Sequence, residues 1–379
     1  MASSGGGATF LVVNGVRFTG DVPPVATFLR SSPGNLTRCF PLFPMITADA
    51  DVFPYARPLT GAYTTTRTHG GASLVLFWDR HLRRLAHSAR ILARSHPGLF
   101  LLPLGSAAGG GGDATALIDS IENLVHESLL VGLRLALRDR DRAGSDDELA
   151  ITALVRGRHE TDCLDVLLHL GFCSAAVRRR RSPFSGRWPR EGAGGGQVHR
   201  LGAWFVILFD ARVRQGMEKM RPPSATELLL TNDGDRILEG SVTNFFVVRR
   251  KVINDLTDLP PSDSESSCTF VVQTAPISDG VLPGVIRQLV FEICSSLGIL
   301  VEESAPSWSD RELWQEAFIT SSLRLVQHVE TIQAPTSFKE FHLKTWNELS
   351  WVAAVSGNQG QSFESISCAA PACVLSEVI

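Results

Sequence analysis

The chain has 379 residues, 44% of them apolar and 20% charged, with a formal net charge of −3. That balance excludes a disordered chain and gives enough length for two domains with their own cores. It also argues against a general polyanion binder, because affinity for phosphate backbones needs a surplus of lysine and arginine on one face.

The seven cysteines are odd in number and form no C-x-x-C pair, so neither a zinc site nor a disulfide framework is indicated and a reducing compartment fits best. No apolar run approaches the roughly 18 to 20 residues of a membrane span. The start, MASSGGGATFLVV, reaches a strand-like segment early and leaves little room for a signal or transit peptide. A cytoplasmic protein with no membrane and no nucleic-acid partner is expected.

In chain order, FLVVNGVRF places two apolar arms around Asn14-Gly15, the dipeptide of a type I′ hairpin. GAYTTTRTHGGASLVLF, residues 61–77, reads as a second hairpin. The period then changes, and Leu82, Leu85, Ala86, Ala89 and Leu92 share one helix face. A glycine run ends at Asp113, an expected N-cap for the helix of Leu117, Ile121, Leu124 and Val125.

ELAITALVRG and CLDVLLHLGF read as strands, and the Arg178–Arg181 run opens a Gly/Pro/Ser-rich stretch that reads as a solvated linker. Strands ELLLTN, CTFVVQT and ILVEE, the apolar segment AFIT, and a helix over 283–297 stopped by Gly298 follow. The expected division is an α+β domain over 1–177, a linker over 178–198, a second domain over 199–350 and a poorly ordered tail over 351–379.

RILEGSVTNFFVV, residues 236–248, sets an acid, Glu239, at the mouth of a half-buried strand. A carboxylate there is costly without a cationic or proton-bearing partner. Two downstream segments, TAPISDGVLPGVIRQL and AFITSSLRLVQHV, belong with it by order and spacing. Gly284-Val285-Ile286-Arg287 opens a predicted helix, whose free amides and dipole favour an anion.

Together, E-G-S-x-x-N-x-F, L-P-G-x-x-R, ITSS, GAYTTTRT and HLRRL resemble the class IV aminotransferases, the fold-type IV pyridoxal-phosphate enzymes. These include branched-chain and D-amino-acid aminotransferases and aminodeoxychorismate lyase. The resemblance covers roughly residues 8–335. It implies an α/β fold of two domains with pyridoxal 5′-phosphate held between them, and a homodimer. The implied reaction moves an amino group between an amino acid and a 2-oxo acid. A lyase of the aminodeoxychorismate type and a non-catalytic protein of the same fold remain open alternatives.

By the same resemblance, Glu239 faces the ring nitrogen of the cofactor, and the amides of Val285 and Ile286 hold its phosphate. Threonine is common where Ile286 stands, so one hydroxyl contact is missing here. Ser322, with Ser321 beside it, matches the hydroxyl residue on the phosphate, and Arg84 matches the phosphate arginine, whose fork suits such an anion. Tyr63 matches a tyrosine near substrate and cofactor.

The lysine that bonds the cofactor departs from the pattern. Its expected window, WFVILFD, holds none, and Lys219 is the only lysine before Glu239. Lys219 is therefore the expected catalytic amine if the enzyme is active. The stretch from Asn35 to Leu59 reads as an insertion relative to the family.

Overall fold

A computed structural model describes residues 8–22, 25, 61–95, 112–157, 164–173, 202–207, 225–231, 234–252, 268–335 and 350–355. Its contacts divide the chain into two units, residues 1–180 and 181–379. The expected linker at 178–198, the insertion at 35–59 and Lys219 lie outside the described residues.

In the first unit, β1 (Thr9–Val13) and β2 (Val16–Arg17) form the hairpin expected at Asn14-Gly15. Its two turn residues take φ values of 48° and 77°, the left-handed pair that a type I′ turn requires. The Asn14 side chain then locks the turn, donating to Asp165 Oδ1 at 2.9 Å and accepting from the Val166 amide at 2.7 Å.

β3 (Ala62–His69) and β4 (Leu74–Val75) are the second hairpin. Helices α1 (Trp78–Ser95) and α2 (Gly112–Ala143) follow, then β5 (Glu148–Gly157) and β6 (Leu164–Cys173). The sheet order is β2-β1-β6-β5-β3-β4. Leu82, Leu85, Ala86 and Ala89, the predicted face of α1, are buried in one core with Ile121, Val125 and Leu129 of α2. The α2 helix begins at Gly112, so Asp113 lies in its first turn and not at the expected cap; a position's difference at a helix end is within ordinary fraying.

The second unit is a ten-stranded sheet. Its first half comprises β7 (Gly202–Ile207), β8 (Ala225–Thr231), β9 (Ile237–Gly240), β10 (Asn244–Val252) and β11 (Cys268–Thr274). Helix α3 (Val285–Ser296) precedes β12 (Leu300–Glu303), β13 (Trp314–Ser321), β14 (Leu325–His328), β15 (Thr331–Pro335) and β16 (Trp351–Val355).

β16 pairs with β15, so the segment expected to open a poorly ordered tail opens with a strand. WVAAV has no apolar/polar alternation, and a short apolar run of that kind reads ambiguously. Both units combine helices with sheet, as the expected α/β class requires.

The sheet of the second unit has two apolar faces. On one, Phe245 and Val247 join Leu229, Ile237, Ala317 and Ile319. On the other, Phe246, Val248, Phe318 and Val272 pack beneath Val290 and Cys294 of α3. Phe246 stacks on Phe318 with ring centroids 4.9 Å apart. Phe246→Ala is expected to destabilise this unit by roughly 3–5 kcal/mol through lost contacts and a residual cavity. Chemical denaturation should show the loss as an earlier transition, while a change below about 1 kcal/mol would mean that α3 collapses into the gap.

Candidate functional site

The strands bring polar side chains to one face of this sheet. Asn244 at the start of β10 stands opposite Glu239 of β9 on one side and opposite Thr320 of β13 on the other. Directly opposed residues in antiparallel strands share a face, so Glu239, Asn244 and Thr320 form a row. All three are buried. The same face carries Phe246 and Phe318 two residues on, beneath α3.

The row meets the start of α3 through the turn Leu282-Pro283-Gly284. The Leu282 amide donates to Glu239 Oε2 at 3.0 Å, and the Leu282 carbonyl accepts from Asn244 Nδ2 at 2.8 Å and from the Gly284 amide at 2.8 Å. A Cβ on Gly284 would lie 2.3 Å from Asn244 Oδ1, so only glycine lets the helix start approach the row this closely.

Gly284 is also the N-cap, and it offers no side-chain acceptor to the first turn. Among the described residues no acceptor takes the Val285 or Ile286 amide. Two unfilled N–H groups at the positive end of a twelve-residue helix are suited to an anion. Thr320 Oγ1 is likewise buried with no hydrogen-bond partner.

Ser321 ends β13 and Ser322 begins the turn into β14. Strand alternation puts Ser321 on the face opposite Thr320, and its Oγ accepts from the Arg324 amide at 3.1 Å. The second unit thus gathers Glu239 with the helix start of Val285 and Ile286. Ser321 and Ser322 follow directly on Thr320, the last member of the polar row.

Arg84 and Tyr63 belong to the first unit and are described within it. Thr64 of β3 is buried between two residues of α1: Arg84 Nη2 donates to its Oγ1 at 2.9 Å, and His81 Nδ1 lies 2.8 Å from the same oxygen. Burial pulls the Arg84 guanidinium below its ordinary range while the Tyr63 phenol beside it pushes the other way. Arg84 Nε is buried without a partner. A guanidinium that is desolvated, with a donor left over, is a demand for an acceptor. Tyr63 is 54% exposed, so it is not a core residue of the hairpin.

Asn244, Leu282, Thr64 and His81 all stand in the sequence motifs without a role assigned to them. Leu282 works through its backbone, which composition does not mark, and Thr64 and His81 meet only when strand and helix pack. Among the described residues no cluster of metal-binding side chains occurs, and no helix is long and apolar enough to cross a membrane.

The sequence profile described as amino-transferase class IV matches residues 214–332, which hold Glu239, Asn244, Thr320 and the start of α3. A D-alanine aminotransferase from Bacillus licheniformis is 27% identical over 130 residues, a stretch covering 34% of this chain and 38% of that enzyme. Among solved structures, a hypothetical aminotransferase from Mycobacterium tuberculosis in its apo form is 16% identical with a TM-score of 0.48, over 86% of this chain and 91% of that one. The branched-chain amino acid aminotransferase from Escherichia coli is 15% identical with a TM-score of 0.43, over 86% of each chain.

His81 supplies a test of the first unit. It is fully buried, and burial first and Arg84 second lower its pKa from 6.5 to about 3. A depressed folded-state pKa means that the unfolded chain binds the proton more readily. The stabilising contribution of the neutral ring is therefore present above about pH 6.5 and is lost as the pH falls toward 3, at up to ~1.4 kcal/mol per pH unit. Urea unfolding at pH 7 and pH 5 should cost the wild-type protein roughly 2 kcal/mol more than His81→Gln over that interval. An equal loss in both proteins would show that the ring does not remain neutral in the folded state.

Proposed function

We propose that the chain is a pyridoxal-phosphate enzyme that transfers an amino group between an amino acid and a 2-oxo acid. The observation that carries this reading is the Glu239 carboxylate, buried and bonded to the Leu282 amide, three residues before the start of an uncapped helix. A fixed anion and unfilled amides brought together by one short turn are suited to a small molecule that is cationic at one end and a phosphate at the other. The partnerless Thr320 Oγ1, in the same row as Glu239, is a further unmet demand for such a ligand. The class IV match over residues 214–332 supports the same reading.

When bound, pyridoxal phosphate withdraws electrons from the substrate carbon, and it does so well only while its ring nitrogen is protonated. In this reading Glu239 holds that proton on the ring nitrogen. The Val285 and Ile286 amides and the Ser322 hydroxyl bind the phosphate, and the resemblance gives the Arg84 fork to the same anion, whereas Ser321, on the opposite face with its Oγ accepting from the Arg324 amide, takes no part. Tyr63 contributes to the substrate side. Lys219 is the amine that binds the cofactor covalently and moves the substrate proton. A cytoplasmic homodimer is part of the same reading.

Two measurements test it. Purified protein mixed with pyridoxal phosphate should gain a visible absorbance band that borohydride bleaches, with the reduced adduct mapping to the Lys219 peptide. An adduct on Lys251, Lys339 or Lys344 would contradict the lysine assignment, and the absence of any band would contradict the cofactor. Glu239→Gln should load the cofactor yet lose about two to three orders of magnitude in transamination rate, as for removal of one partner that acts on the charge of the transition state. Unchanged turnover in the loaded variant would remove Glu239 from its role.

A further inference from the structure

Glu227 lies in β8 with its carboxylate almost wholly buried. It is on the sheet face opposite Glu239, since Leu230 is the residue of β8 that pairs with Glu239. The cofactor reading above does not use it. A buried carboxylate is costly unless its oxygens are filled and its charge is met.

Glu227 meets both conditions by reaching two separate turns. Oε1 accepts from Ser241 Oγ at 2.5 Å and from the Val242 amide at 3.3 Å. Oε2 accepts from Arg324 Nη1 at 2.7 Å. The Arg324 guanidinium is one-third exposed and extends to the Thr226 carbonyl at 3.5 Å, while its own amide donates to Ser321 Oγ. Gly240 makes room for the arrangement: a Cβ there would lie 3.2 Å from Glu227 Cγ and 2.0 Å from Thr243 Oγ1.

We infer that Glu227 is a positioning residue that sets the turn carrying Ser321 and Ser322 against the turn that follows Glu239, and so fixes the phosphate end of the cofactor site relative to its ring end. The inference rests on the proposed cofactor reading. Ser241 and Val242 follow Glu239 and Gly240 directly, and Arg324 follows Ser321 and Ser322. One carboxylate therefore ties both segments. With its oxygens committed, it has no part in the chemistry itself and works through the residues it holds. A glutamine in its place has one accepting oxygen, so one of the two turns must face an amide that can only donate. The arginine turn, which also loses its counter-charge, is the one released.

The test compares affinities for pyridoxal phosphate and for pyridoxal, which lacks the phosphate, by equilibrium dialysis, with urea stability measured in parallel. Glu227→Gln should bind pyridoxal unchanged while its preference for the phosphorylated form falls about tenfold, the effect of one charge-assisted contact. Arg324→Gln, at a one-third exposed position, should lower the same ratio if the first variant does not fold. A ratio equal to that of the wild-type protein in a folded variant, or equal losses for both molecules alongside lost stability, would overturn the positioning role and leave the cofactor reading standing. Failure of the wild-type protein to bind pyridoxal phosphate would overturn both.

Discussion

The hydrogen bond from the Leu282 amide to the Glu239 carboxylate is the contact on which the candidate site depends. Glu239 is 7% exposed, and an acid so placed must be held by donors or become protonated. The same residue that donates to it is followed by Pro283 and Gly284, so the bond also fixes where α3 begins. Its carbonyl binds Asn244, which stands opposite Glu239 in the sheet. Acid, asparagine and helix start are therefore a single assembly, and none can shift without the others.

What keeps that assembly in place is the packing on either side of it. Val290 and Cys294 set α3 on the stacked pair Phe246 and Phe318, which leads along β10 and β13 to the polar row. Arg287, 2% exposed at the first turn of α3, ties the helix to the neighbouring strands. Its guanidinium donates to the Ala275 carbonyl at 3.0 Å and to Glu303 Oε2 at 2.9 Å and lies over the Phe291 ring. A buried arginine that donates through Nη2 to two neighbouring segments explains how the helix can leave its own first amides unfilled: its position is set from below, not by a cap.

Much of this was legible in the sequence for local reasons. Asn14-Gly15 demands left-handed backbone at two positions, which nearly dictates its hairpin, and the 3.6-residue period of Leu82, Leu85 and Ala89 dictates the buried face of α1. Glu239 was legible because an acid beside an aromatic strand breaks the pattern, and Val285 and Ile286 because Gly-x-x-Arg opens an apolar helix. Glu227 was not: in ELLLTN it reads as an ordinary strand-edge acid, and its value comes from Arg324, ninety-seven positions away. The Thr64, His81 and Arg84 cluster is similar, since a threonine within Thr-Thr-Thr carries no local signal of which hydroxyl meets the helix.

The central claim is that Glu239 faces a cationic ring nitrogen. It is tested most directly by binding pyridoxal phosphate labelled with 15N in the ring and reading the nitrogen's chemical shift. The account predicts a protonated nitrogen at neutral pH in the wild-type protein and a deprotonated one in Glu239→Gln that remains folded. A ring nitrogen in the same protonation state in both proteins would contradict it.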